Sequence, residues 1–187
     1  VSMPGMMETI LNLGLNDRTV EGLAAKSNNP AFAWDCYRRF VQMYGVVVFD
    51  QPRAPFDQLL DEARHSHGAV RDIDLPVGAI KALVARFKAM IEEQAGRAFP
   101  EEPMEQLWGA ISAVFESWNG KRARDYREAA HIPHDLGTAV NVVAMVFGNT
   151  GTNSATGVAM SRDATTGANH LEGDYLTNAQ GEDVVAG

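Results

Sequence analysis

Four prolines, Pro30, Pro55, Pro76 and Pro103, each stand at the head of a block in which apolar residues return every three or four positions. That combination admits little besides helix. Proline suits the first helical turn, where its missing N–H has no partner to lose, and the three-four spacing gathers the apolar side chains onto one stripe. The block after Pro30 carries Ala33, Cys36, Tyr37, Phe40, Val41 and Tyr44, with Arg38 and Arg39 near its edge. The block after Pro55 carries Phe56, Leu59, Leu60 and Ala63 and fades at His65-Ser66-His67-Gly68, where glycine is a natural stop. Pro76 precedes Ile80, Leu83, Val84, Phe87 and Ile91, with Gly96 just beyond. The clearest stripe follows Pro103 through Leu107, Ala110, Ile111, Val114, Phe115 and Trp118, and Asn119-Gly120 ends it. A short helix capped by Asp17, with Val20, Leu23 and Ala24 inward, should precede these and end near Ser27-Asn28-Asn29, and a basic helix over residues 121–130 should follow. This part of the chain predicts helical hairpins packed on one another, without internal repeats or low-complexity linkers.

The pattern changes at His131-Ile132-Pro133-His134-Asp135-Leu136-Gly137. Residues 139–147 are rich in valine without helical capping and predict a strand. Residues 148–157 form a Gly/Asn/Thr/Ser loop, 158–160 a short strand, 164–168 a turn and 171–178 another strand. Helices first and antiparallel strands last is an α+β order, not a βαβ alternation. The boundary is expected near Gly137.

Charge narrows the partners. Sixteen basic against 24 acidic residues give a formal net charge of -8, which opposes a broad nucleic-acid surface. No apolar run is long enough to span a bilayer and no basic-then-apolar leader is present, so neither membrane insertion nor secretion is expected and a cytoplasmic setting follows by default. The single cysteine, Cys36, excludes an internal disulfide framework and is expected as a buried thiol. Val1-Ser2 before the first methionine, and a last stretch Asp183-Val184-Val185-Ala186-Gly187 without a polar tail, read as an excised segment.

Two stretches remain that composition does not explain. Met3-Pro4-Gly5-Met6-Met7-Glu8-Thr9-Ile10-Leu11-Asn12-Leu13-Gly14-Leu15-Asn16-Asp17 joins Pro-Gly turn chemistry to adjacent methionines and a broken apolar run. Pro4 fixes one φ, and Gly5 permits positive φ or close approach of backbone to a ligand. On the residues alone this is a surface turn followed by a strand. At the other end stands Asn178-Ala179-Gln180-Gly181-Glu182-Asp183-Val184-Val185-Ala186-Gly187, an acidic pair directly after a glycine at a strand end, ordinarily a solvated turn. Together, in this order, the two stretches resemble the pyruvate, phosphate dikinase family.

The resemblance covers essentially all 187 residues and implies the central part of that family's N-terminal ATP-grasp nucleotide-binding domain, in which a helical insertion interrupts an α+β fold and ATP lies between two lobes. It implies a phosphate-loop segment over residues 1–16, a helical subdomain over 17–136 and a β-rich ATP-grasp segment over 137–187. It implies that Gly5, Met6, Met7 and Thr9 line the ATP phosphates with main-chain donors, as a glycine-rich nest cradles an anion. Residues 141–147 resemble the adenine-facing hinge, where Val143 lies beside the purine and the backbone near Met145 and Val146 reads its edge. The family often carries glutamine where Val143 stands, which removes a side-chain hydrogen bond; without the resemblance the segment is a buried strand. Glu182 is the expected Mg²⁺-directed carboxylate, because hard oxygen ligands suit an ion that bridges phosphate oxygens. Asp174 stands where the family tends to carry glutamate, which keeps the charge and shortens the reach. The loop 148–157 lacks the lysine and spacing of a P-loop and reads as a hairpin connection, with a phosphate lid as the alternative.

Arg38, Arg39, Arg122, Arg124 and Arg127 are candidates for anionic ligands or for another domain, although an arginine on an exposed helix face is most often simply solvated. His65 and His67 would diverge on a helix and His131 and His134 straddle Pro133, so no histidine metal site is expected. No catalytic residue is expected in this segment. The resemblance implies cofactors ATP and Mg²⁺, phosphohistidine and pyruvate-binding domains of the same full-length enzyme as partners, and a homo-oligomeric enzyme. The chain by itself is expected to be inactive. Two alternatives stay open: a phosphoenolpyruvate synthase-like dikinase that uses water in place of phosphate, and a non-catalytic helical interaction module with a vestigial nucleotide site.

Overall fold

The computed structural model describes Met3 and residues 5–185, so Pro4 of the expected turn and the last two residues of the C-terminal stretch lie outside the described residues. The fold is α+β and helix-rich, and it divides into two compact units, residues 1–143 and 144–187.

Among the described residues the first unit holds six α-helices: α1 Thr19–Ser27, α2 Pro30–Val47, α3 Ala54–His67, α4 Val77–Ala95, α5 Pro103–Ser117 and α6 Lys121–Ala129. Each proline-headed block is a helix. The cap of α1 is Asn16 rather than the expected Asp17: Asn16 Oδ1 accepts from Arg18 N at 3.0 Å and Thr19 N at 2.7 Å. Asn29 does the same for α2, accepting from Phe32 N at 3.1 Å.

The long helix α2 is the centre of this unit and packs against α1, α4 and α5. Ala33, Cys36, Tyr37, Phe40 and Val41 are fully buried on it, as the stripe demanded. Phe99 closes the aromatic cluster, with edge-on contacts to Tyr37, Phe40 and Tyr44 at centroid distances of 6.3, 5.6 and 5.4 Å. Phe56 of α3 meets Phe87 of α4 edge-on at 5.0 Å, which joins those two helices. Beside this cluster the charges are paired. The Tyr37 hydroxyl donates to Asp17 at 3.1 Å, and Lys88 Nζ reaches Asp17 at 2.7 Å and Glu101 at 2.5 Å. Burial, reinforced by the Glu101 and Asp17 charges, raises the Tyr37 hydroxyl far above the ordinary phenol range.

The second unit is built on one antiparallel ladder, β1 Ala155–Met160 with β2 Glu172–Thr177, in register Gly157 opposite Tyr175 and Val158 opposite Asp174. A Cβ on Gly157 would lie 2.8 Å from Asp174 O, so the strands approach as closely as they do only because glycine stands there. The turn between them is set by Asp163, whose Oδ1 accepts from Thr165 N at 2.8 Å and Thr166 N at 2.6 Å. Those amides, Thr166 first, hold the Asp163 carboxyl below the usual range. The five-residue helix α7 Gly181–Val185 follows β2 and packs on the ladder.

Two expectations fail here. Residues 139–147 are not a strand: they run without regular structure, and Val142, Val143 and Val146 are exposed at 64, 80 and 92%. A strand exists only where a neighbour takes its N–H and C=O groups, and among the described residues the sole ladder is β1 with β2. The loop from Gly148 therefore cannot be a hairpin connection. It leads into β1 and is fastened to the far end of β2, through Asn178 N to Ser154 O at 2.7 Å and Ala179 N to Gly148 O at 3.0 Å. No helix among the described residues is long and apolar enough to cross a membrane.

Candidate functional site

Gly5 has φ of 72°, a left-handed conformation that glycine adopts without strain, and Met6 N donates to Met3 O at 3.1 Å to close a tight turn. One of the three amides expected to face phosphate is therefore spent inside the loop. The amides of Gly5 and Met7 have no acceptor among the described residues, and Gly5 and Thr9 are exposed.

The loop rests on the corner between α5 and α6. Met3 is buried at 6% with Trp118 and Ala123, and Met6, Met7, Tyr126 and Ile132 pack around them. Just beyond, Glu8 N donates to Ser117 Oγ at 3.2 Å, and the Glu8 carboxylate pairs with Arg122 at 3.1 Å. The run that follows forms no strand, contrary to the expectation of a turn followed by one, and is held by Gln106 of α5, fully buried, whose Oε1 accepts from Gly14 N at 3.0 Å while its Nε2 donates to Leu15 O at 3.0 Å and Pro100 O at 2.8 Å. Sequence pattern does not mark Gln106, because a lone glutamine on an amphipathic helix looks like a solvated residue.

The arginines depart furthest from expectation. Arg38 is buried at 3% and tied to Asp35 and Asp72, and Arg39 is tied to Asp35. Arg127 is 1% exposed, with its guanidinium 3.9 Å from the Trp118 ring centroid. Arg122 pairs with Glu8, which leaves Arg124 as the member of the set with the character of a solvated helix-face residue.

Val143 closes the first unit and Met145 and Val146 open the second; Val143 and Val146 are exposed and Met145 is half-buried. Glu182 lies on α7, half-buried. Its neighbour Asp183 is engaged locally, accepting from Gln180 N at 2.8 Å across the start of α7, while the Gln180 side chain is buried at 1%. Within the second unit the two candidate segments are stitched together: the bond from Ala179 N to Gly148 O joins a residue two beyond Val146 to one three before Glu182. Asp174 sits exposed on β2.

No three His, Cys, Asp or Glu side chains gather as a metal-holding group among the described residues. A single carboxylate such as Glu182 fits Mg²⁺ in the way that ion is commonly held beside nucleotides, by one or two carboxylates with phosphate oxygens completing the shell.

Over residues 1–187 the sequence matches the family described as pyruvate phosphate dikinase, AMP/ATP-binding domain. The chain belongs to that family. It is 54% identical over 187 residues to pyruvate, phosphate dikinase of Clostridium symbiosum, and 52% identical over 186 residues to that of Rhizobium meliloti (strain 1021). To the chloroplastic pyruvate, phosphate dikinase 1 of Arabidopsis thaliana it is 50% identical over 187 residues. In each comparison 100% of this chain is covered, against 21, 21 and 19% of the relative, so the chain spans about a fifth of the length of these relatives.

Proposed function

We propose that this chain is the central part of the nucleotide-binding domain of a dikinase, with an ATP-grasp arrangement. The full-length protein would interconvert ATP, phosphate and pyruvate with AMP, pyrophosphate and phosphoenolpyruvate through a phosphohistidine on another domain. The observation that carries this reading is the family match over the entire chain, joined to identities of 50% and above to proteins named for that reaction. The same names favour phosphate over water as the second acceptor.

The chain's own share is binding and orientation. The loop Gly5, Met6, Met7 and Thr9 offers main-chain donors to the phosphates; the amides of Gly5 and Met7 supply them in the loop's present form, since Met6 N is engaged by Met3 O. Val143, Met145 and Val146 border the purine, read through backbone groups. Glu182 is the carboxylate directed at Mg²⁺. That ion, when bound, neutralises charge on the phosphates and holds them in line. We retain the functional division into a phosphate-loop segment 1–16, a helical subdomain 17–136 and an ATP-grasp segment 137–187. A cytoplasmic setting and a homo-oligomeric full-length enzyme complete the proposal.

The test is Glu182→Gln in the full-length protein, which removes one negative charge and leaves the backbone of residues 145–146 untouched. Loss of one charge-assisted contact to a transferring phosphoryl group should cost about 2–4 kcal/mol in the barrier, roughly thirty-fold to a thousand-fold in single-turnover phosphorylation of the histidine. Nucleotide affinity should fall much less. Transfer within about twofold of the parent, worth only about 0.4 kcal/mol, returns Glu182 to a solvated helix residue.

A further inference from the structure

Arg127 carries a full charge in a place where charge is expensive. It is 1% exposed, and no carboxylate lies within ion-pair distance of it among the described residues. Its partners are neutral: Nη1 donates to the Trp118 carbonyl at 2.7 Å, Nε donates to His134 Nδ1 at 2.9 Å, and the guanidinium lies over the Trp118 ring. Trp118 is at the same time the C-cap of α5, and its indole Nε1 donates to His134 O at 3.0 Å. Trp118, which is buried with Met3, is thus held at its ring face by Arg127 and at its indole edge by His134, while its backbone carbonyl accepts from Arg127. A buried cation held only by dipoles and a ring costs folding free energy, whereas an apolar residue there would pack without that cost. What the arginine adds is a single orientation for Trp118, since a planar fork and a stacked ring leave no alternative rotamer.

We propose that the α5–α6 corner is the seat of the phosphate loop, and that Arg127 is a positioning residue for nucleotide, acting through Trp118 and the methionines rather than by touching ATP. This rests on the reading of residues 5–9 as a phosphate loop. The chain of contact is short: Arg127 sets Trp118, Trp118 and Ala123 seat Met3, Met6 and Met7 pack on the same cluster, and the Gly5 and Met7 amides are thereby aimed. A second tether acts in parallel, because Arg122 of α6 and Ser117 of α5 both hold Glu8. Movement of α6 against α5 therefore moves both ends of the loop.

The experiment uses the full-length protein with Arg127→Lys, which keeps the charge and loses the fork, and with Arg122→Gln, a substitution at a residue 59% exposed that leaves the buried cluster intact. Backbone hydrogen exchange at residues 5–9 is measured without nucleotide, and KM for ATP is compared with kcat and with KM for pyruvate. The expected result is exchange faster by about tenfold in Arg127→Lys at the Met6 and Glu8 amides, the two in this loop that donate to Met3 O and Ser117 Oγ, the size of losing one hydrogen bond to a charged group. KM for ATP should rise in step, with kcat and KM for pyruvate nearly unchanged, and Arg122→Gln should give a smaller effect of the same kind. A general loss of fold would raise exchange throughout α2 and α4 as well. Exchange at residues 5–9 unchanged in Arg122→Gln and in a folded Arg127→Lys overturns the seat. Faster exchange with KM for ATP unmoved leaves the seat standing and overturns the loop's role toward ATP. If Arg127→Lys does not fold, Arg122→Gln decides between the same two outcomes.

Discussion

Asp35 accepts from Arg38 at 2.6 Å and from Arg39 at 2.9 Å, and Arg38 turns also to Asp72 at 3.2 Å, so one carboxylate anchors two guanidiniums of α2 and links them to the segment before α4. Burial by itself would raise the Asp35 carboxyl; the Arg38 and Arg39 charges and their hydrogen bonds outweigh it and hold the group below the usual carboxylate range. The folded protein thus binds this proton less readily than the unfolded chain. The stabilisation is complete above the ordinary carboxylate range and is lost as pH falls below about 4. Asp35→Asn should cost about 3 kcal/mol at pH 7, the lower end for breaking a buried pair because Asp72 still faces Arg38. The same variant should lose less additional stability between pH 4 and pH 2 than the parent does. Urea unfolding across that range checks both, and parallel curves for the two proteins would refute the assignment.

At the scale of elements, α2 meets α3 and α4 at a glycine. A Cβ on Gly45 would come within 2.7 Å of Phe56 Cζ and 3.1 Å of Ile91 Cδ1, and both of those side chains are fully buried. Gly45→Ala would gain about 1 kcal/mol from helix propensity. Displacing two close-packed side chains costs about 1–3 kcal/mol, so the net expectation is destabilisation by about 1 kcal/mol, read as a lower thermal midpoint. A more stable variant would mean that the α2–α3–α4 contact yields more easily than its packing implies. The opposite case is the valine-rich segment 139–147: its composition suits a strand, yet with no neighbouring strand among the described residues to take its backbone groups it has no regular structure.

For the molecule as a whole, a chain that spans about a fifth of its relatives' length is not expected to turn over by itself. In the proposed reaction the phosphoryl group passes to a histidine on another domain. Here His65 and His67 lie at the end of α3, and His134 is engaged with Arg127. Purified residues 1–187 should therefore show no steady phosphoenolpyruvate consumption in a coupled assay, and the full-length protein should. Clear steady turnover by the shorter chain would remove the carrier-histidine part of the proposal.

The helices were legible in the sequence because a three-four apolar repeat and a leading proline are local properties, complete within one turn or two of chain. Each proline-headed helix begins within a residue of its proline, and Cys36 is buried as its stripe required. The family was legible for a related reason: its two signature stretches are contiguous. What the sequence could not convey is anything fixed by a partner distant along the chain. Asp17 reads as the cap of α1 in the sequence, but Asn16 Nδ2 donates to Glu101 O at 2.7 Å, which orients the Asn16 side chain so that its Oδ1 caps the helix instead. Arg127 looks like a solvated arginine until Trp118 and His134 close over it, and a run of valines looks like a strand, yet no second strand stands beside it among the described residues. Periodicity determines which face of an element is apolar; only the tertiary structure decides which charge is buried, which amide is already spent and which strand has a neighbour, because each depends on groups brought together from far apart in the chain.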